Sequence, residues 1–178
     1  MKVDLYLLTK LFWLIPNKIQ RRLQPIRYIK RIGVNVKGKV FLYGKQGWST
    51  EPFMITLGDN VYITNNVSFA THDGGVLILR QYQPDLELSA PITVKNNVYI
   101  GINSVILPGV TIGNNVIITA CSVVSKDVPD NSVVGGVPAK FIKTVDDYFM
   151  QAKANSLGLG HLSRFEKLKK LKEIFREI

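Results

Sequence analysis

The chain has one cysteine, Cys121, among 178 residues, so it carries no internal disulfide framework and no cysteine-based zinc site. Its two histidines, His72 and His161, exclude any metal centre built from three imidazoles of one chain. Long hydrophobic runs are also missing. Near the N-terminus the longest is Leu11–Ile15, far short of the roughly 20 residues that span a bilayer. Thr9 and Lys10 interrupt any signal-peptide core and no small-residue cleavage site follows, so a cytoplasmic protein is expected. No glycine-rich loop opens a helix to cradle phosphates, and nucleoside triphosphates are therefore not indicated.

What is present suits a folded domain. Hydrophobic residues make up 46% and charged residues 20%, which excludes wholesale disorder and allows a continuous core. The net charge of +10 belongs to the ends: residues 1–40 carry +9, residues 41–160 carry −2 and residues 161–178 carry +3. A slightly acidic body is not a basic groove, so no nucleic acid partner is expected. In the N-terminal segment Leu5, Leu8, Phe12, Ile15 and Ile19 fall at helical spacing, with Lys10, Lys18, Arg21 and Arg22 around them and Pro16 as a break. Such a helix either packs on protein or rests peripherally on anionic membrane through Trp13 and the basic cluster.

The most informative pattern has a period of six. Val94, Ile100, Ile106, Ile112, Ile118 and Val124 follow one another in unbroken steps. A second column two residues earlier holds Ile92, Val98, Ser104, Val110, Val116 and Ser122. The same step appears upstream at Leu57, Ile63 and Phe69, and again at Val36 and Leu42. Six is not a multiple of 3.6, so an amphipathic helix would drift out of phase. A plain strand alternates without a turn every six residues. Here Asn, Gly, Asp and Pro recur between the apolar pairs, as turns require. The pattern describes short strands joined by bends, with one apolar column pointing inward. Only stacked coils bury such strands, so a parallel β-helix is predicted. The step is lost at 43–54 and at 70–91, two excursions where chemistry is expected.

The stretches 91–101 (PITVKNNVYIG), 104–116 (SVILPGVTIGNNV) and 122–142 (SVVSKDVPDNSVVGGVPAKFI) resemble the hexapeptide-repeat acetyltransferases, in particular the galactoside, maltose and capsular-sugar O-acetyltransferases. The resemblance covers about residues 34–143. It implies an all-β chain built on a left-handed parallel β-helix, acetyl-CoA as donor, and a homotrimer with active sites between subunits. General crossover rules favour the opposite hand, so the handedness comes from the family alone. The expected organisation is a basic amphipathic helical segment at 1–31, the β-helix at 32–143 and a helical segment at 144–178. In the last, Ser163 and Glu166 form a capping-box pattern ahead of a helical apolar face expected to pack on the β-helix or on a neighbouring subunit.

The resemblance places His72, in the loop Ala-Thr-His-Asp-Gly-Gly, at the family's catalytic position. A neutral imidazole accepts a hydroxyl proton near neutrality, and His72 is the expected general base. Gly101 marks the expected neighbourhood of backbone N–H donors for the oxyanion. Ser125, Lys126 and Lys140 match the family's coenzyme-binding residues, although the lysines also suit a solvated corner. Tyr99 stands where these enzymes commonly carry Trp and is expected to flank the coenzyme or substrate. In the first excursion Trp48 suits either sugar stacking or loop packing. Glu51 and Asp73 are candidates for binding substrate hydroxyls. Cys121, within Thr119-Ala120-Cys121 where Gly-Ala-Gly is usual, is expected to be a packing residue, and His161 a surface one. No metal is expected.

The expected function is transfer of acetyl from acetyl-CoA to a carbohydrate hydroxyl in surface-polysaccharide or glycolipid synthesis. The rival expectations are an antibiotic- or amino-sugar-modifying acetyltransferase of the same fold, or a catalytically silent trimeric scaffold.

Overall fold

A computed structural model describes residues 21–176; the expected amphipathic helix and its membrane contact at residues 1–20 lie outside them. Two compact units are present, Met1–Val145 and Asp146–Ile178. The first contains helix α1 (Pro25–Ile32), which has Pro at its first turn and buries Ile29. It ends at Gly33, whose φ of 115° is left-handed, and the N–H groups of Gly33 and Val34 return to the carbonyls of Lys30 and Ile29 respectively.

Short strands then wind through three sheets. The first holds β1 (Asn35–Val36), β3 (Ile55–Leu57), β6 (Ile92–Val94) and β9 (Thr111–Ile112). The second holds β2 (Val40–Leu42), β4 (Val61–Ile63), β7 (Val98–Ile100), β10 (Val116–Ile118), β12 (Ser132–Gly135) and β13 (Lys140–Thr144). The third holds β5 (Ser68–Phe69), β8 (Val105–Ile106) and β11 (Val123–Val124). All pairings are parallel except β12 with β13, an antiparallel hairpin that closes the stack.

The period of six is one side of this coil. Val94 pairs with Ile112, Ile100 with Ile118 and Ile106 with Val124, so the sequence column is dealt in turn to three sheets. These side chains are 0–1% exposed, and each contributes about 1.5–3 kcal/mol relative to an exposed position. Ser104 and Ser122 of the second column are fully buried too. Both hydroxyls donate to the carbonyl of Thr119, at 3.1 and 2.8 Å, which removes the penalty of an orphaned polar group.

Along the second sheet the register runs Val40, Val61, Val98, Val116, Ser132, giving partners 21, 37, 18 and 16 residues apart. The first coil is therefore slightly enlarged and the second carries the long excursion. In the first, Gly47 still pairs with Ser68, so the third side of the coil is kept and only the stretch after it leaves the stack. Six asparagines at corners have positive φ, and those one coil apart bond side chain to side chain: Asn60 to Asn97 at 2.9 Å, Asn97 to Asn115 at 3.1 Å, Asn66 to Asn103 at 2.9 Å. Asparagine tolerates this conformation where most residues are strained.

The second unit contains most of helix α2 (Val145–Ala154) and helix α3 (Arg164–Ile174). Both bonds of the Ser163–Glu166 capping box are formed. Neither helix buries a side chain, and His161 is exposed. No helix among the described residues is long and apolar enough to cross a membrane.

Candidate active site

Two backbone devices place His72. It bridges Ser89 in antiparallel fashion, and the neck of the excursion is tied by Asp73 N–H to the Leu88 carbonyl and by Ala90 N–H to the Thr71 carbonyl. Immediately beyond, Asp73 caps a six-residue 3-10 turn (Gly74–Leu79), its Oδ1 accepting from Gly75 N–H at 2.8 Å. The imidazole thus stands on the rigid neck rather than on the loop's tip.

One coil above, the first excursion delivers Glu51. Its Oε2 lies 2.8 Å from His72 Nδ1 and accepts a second bond from Thr71 Oγ1 at 2.8 Å, while Oε1 accepts from Thr50 Oγ1 at 2.5 Å. Thr71, fully buried, gives its one proton to Glu51 and so accepts from the Ser49 hydroxyl, 2.7 Å away. Bonds from Thr50, His72 and Thr71 lower the Glu51 pKa from 4.5 to about 2, so the group is a carboxylate at any physiological pH. A carboxylate only accepts, which requires Nδ1 to carry a proton and, in the neutral ring, places the lone pair on Nε2. Among the described residues Nε2 has no hydrogen-bond partner.

His72, Asp73 and Gly74 separate two cavities. The larger, about 480 Å³, is completed by Leu88, Ser89, Ala90, Leu107, Pro108 and Ser125. The smaller, about 220 Å³, is lined by Thr50, Glu51, Val76, Leu77, Arg80 and Glu87. Its outer wall is braced by Arg80, which donates from Nε to the Leu86 carbonyl at 2.9 Å and from Nη2 to Glu87 at 2.7 Å. This arrangement places the imidazole in the walls of two cavities at once.

The structure therefore brings His72, Glu51, Asp73 and Ser125 together, with Lys126 exposed beside Ser125. Four expectations, on Trp48, Glu51, Gly101 and Cys121, need correction. Trp48 is 7% exposed and stacks on Phe69 with ring centroids 5.1 Å apart, so it caps the core and offers no face to a sugar. Glu51 is not free to bind substrate hydroxyls because its oxygens are engaged by Thr50, Thr71 and His72. The Gly101 N–H donates to the Ile118 carbonyl at 2.8 Å and is closed to an oxyanion. Gly101 is instead required by packing: a Cβ there would stand 2.5 Å from the Ala120 nitrogen. Cys121 is exposed at a corner with φ of 58°, not packed inside. Tyr99, 43% exposed, lines a separate depression with Tyr62, Asn97 and Ile117, away from His72 within one chain. Lys140 is exposed on β13 and lines neither cavity beside His72.

The Glu51–His72 pair was missed in the sequence, yet its signal was there. The two residues are 21 apart, the length of the first coil, as are Trp48 and Phe69.

Comparison with known proteins agrees with this geometry. The bacterial transferase hexapeptide (six repeats) family is matched at residues 91–126. The chain is 43% identical to Protein CapG of Staphylococcus aureus over 84% of this chain and 88% of that one. It is 41% identical to the galactoside O-acetyltransferase of Escherichia coli K12 over 60% of this chain and 54% of that protein. A solved hexapeptide-repeat acetyltransferase from Vibrio cholerae, complexed with acetyl coenzyme A, superimposes with a TM-score of 0.52 at 27% identity, covering 72% of this chain and 83% of that one. The chain belongs to the hexapeptide-repeat acetyltransferases.

Proposed function

We propose that the enzyme transfers the acetyl group of acetyl-CoA to a carbohydrate hydroxyl of a surface polysaccharide or glycolipid precursor, with His72 as general base. The observation that carries this reading is the unpartnered Nε2 of His72, held between two cavities by an ionised Glu51. The acceptor oxygen attacks the thioester carbonyl carbon while Nε2 takes its proton. The carbon–sulfur bond then breaks, and the imidazolium returns the proton to the departing thiolate. Glu51 fixes the tautomer and stabilises the transient imidazolium, so it is a positioning residue. The likeness to a galactoside O-acetyltransferase supports a sugar acceptor.

The coenzyme arm is assigned to the larger cavity, whose Leu88, Ala90, Leu107 and Pro108 suit pantetheine. Ser125, Lys126 and Lys140 are assigned to its polar and phosphate groups. We further propose a left-handed coil and a homotrimer. The trimer is supported by an outward row on the second sheet, Phe41, Tyr62, Tyr99 and Ile117, with Phe41 stacked on Tyr62 at 4.5 Å. The matching row of the first sheet is polar: Asn35, Thr56, Thr93 and Thr111. In such an assembly Tyr99 of one subunit supplies the second wall of a neighbour's open cleft.

The test is thiol release from acetyl-CoA with a panel of sugars. Turnover is expected, and His72→Ala should lower kcat by about 10²–10⁴-fold. Full activity of His72→Ala would refute the base assignment. Sedimentation should give three times the 20.0 kDa chain mass.

A further inference from the structure

We infer that the acceptor enters through the smaller cavity, on the Glu51 side of His72, and that this cavity selects against acceptors bearing a negative charge beside the reacting hydroxyl. The inference rests on the base assignment above and adds to it which side each substrate uses and which acceptor class is refused.

The two sides of His72 differ in charge. The larger cavity is mostly apolar, has Asp73 as its one carboxylate, holds Ser89 and Ser125, and has Lys126 next along the chain. The smaller one presents Glu51, Asp73 and Glu87 against one guanidinium, Arg80. Arg80 and Glu87 neutralise each other at 2.7 Å, and Ser89 Oγ donates to the second oxygen of Glu87 at 2.7 Å. Glu51 stays ionised through its bonds to Thr50, His72 and Thr71. Asp73, which lines both cavities, and Glu51, which lines only this one, therefore leave this side with the larger excess of negative charge. Polyanionic coenzyme A is repelled from that wall and directed to the other cavity, and the acceptor takes the side that remains. Neutral hydroxyls hydrogen-bond to Asp73 and Thr50 without cost. A carboxylate or phosphate on the same ring faces like charges that the cavity does not balance. Asp73 is the residue that sets this selection, since Glu51 is committed to His72.

The experiment compares matched glycosides, methyl galactoside with methyl galacturonide and methyl glucoside with methyl glucuronide, by thiol release from acetyl-CoA. The uronides should show kcat/KM at least about tenfold lower, the size of one unfavourable charge contact. Asp73→Asn keeps the Oδ1 that caps Gly75, so the neck should fold as before, and it should narrow the gap at least about threefold. Added salt, about 0.5 M, should narrow it in the wild type as screening shortens the reach of the carboxylates. Equal use of both members by the wild type, or a gap unchanged in Asp73→Asn and in salt, overturns the charge selection and leaves the base assignment standing. Turnover of no glycoside at all overturns both.

Discussion

Cys121 offers a measurement of what the asparagine corners contribute. It ends a column that begins Asn66, Asn103, and it adopts the same left-handed conformation, φ 58°. The rung above it is a 2.9 Å amide bond, whereas Asn103 Nδ2 meets Cys121 Sγ only at 3.9 Å. Replacing the thiol by an amide, Cys121→Asn, changes two quantities. A left-handed residue other than Gly, Asn or Asp is strained by about 1 kcal/mol, which asparagine largely relieves. An exposed amide-to-amide bond adds about 0.5 kcal/mol, at the low end for protein hydrogen bonds. The sum, about 1.5 kcal/mol, corresponds to a rise of about 3–6 °C in Tm for a chain of this size. Differential scanning calorimetry at fixed protein concentration measures it, with Cys121→Ala as reference because it keeps the strain and forms no rung. If Cys121→Asn melts no higher than Cys121→Ala, the account of the corners is wrong.

Two further predictions concern the site and its scaffold. Glu51 has a folded-state pKa depressed to about 2 from 4.5, so its stabilisation is full above pH 4.5 and lost as pH falls towards 2. Urea midpoints of wild type and Glu51→Gln should therefore differ most near neutrality and converge in strong acid, and a gap that widens on acidification would refute the assignment. Gly101→Ala forces a Cβ against the backbone of Thr119 and Ala120, so it should destabilise the stack by about 2–3 kcal/mol, read from the same midpoints.

What the sequence disclosed depended on where stacking enforces a repeat. Between residues 92 and 124 one coil is 18 residues, three sides of six, and each inward position sits beside its counterpart in the next coil. A polar residue in such a column would face the core, so the hydrophobic pattern and the fold are two views of one constraint. The excursions escape that constraint. Their side chains answer to one another, and their spacing is set by an enlarged first coil rather than by the hexad. That is why Trp48 was open to reading as a sugar platform and Glu51 as a hydroxyl binder, when each faces the residue 21 positions on: Phe69 in the core and His72 at the cleft. The first-coil length was itself encoded, since Val40 and Val61, like Leu42 and Ile63, are 21 apart. Read that way, 51 falls over 72, and a carboxylate one coil from a loop histidine points to an oriented imidazole. Tyr99 is a different matter. No spacing within one chain carries it from the second sheet to His72, so the part proposed for it stands or falls with the proposed trimer, which the order of residues along one chain does not determine.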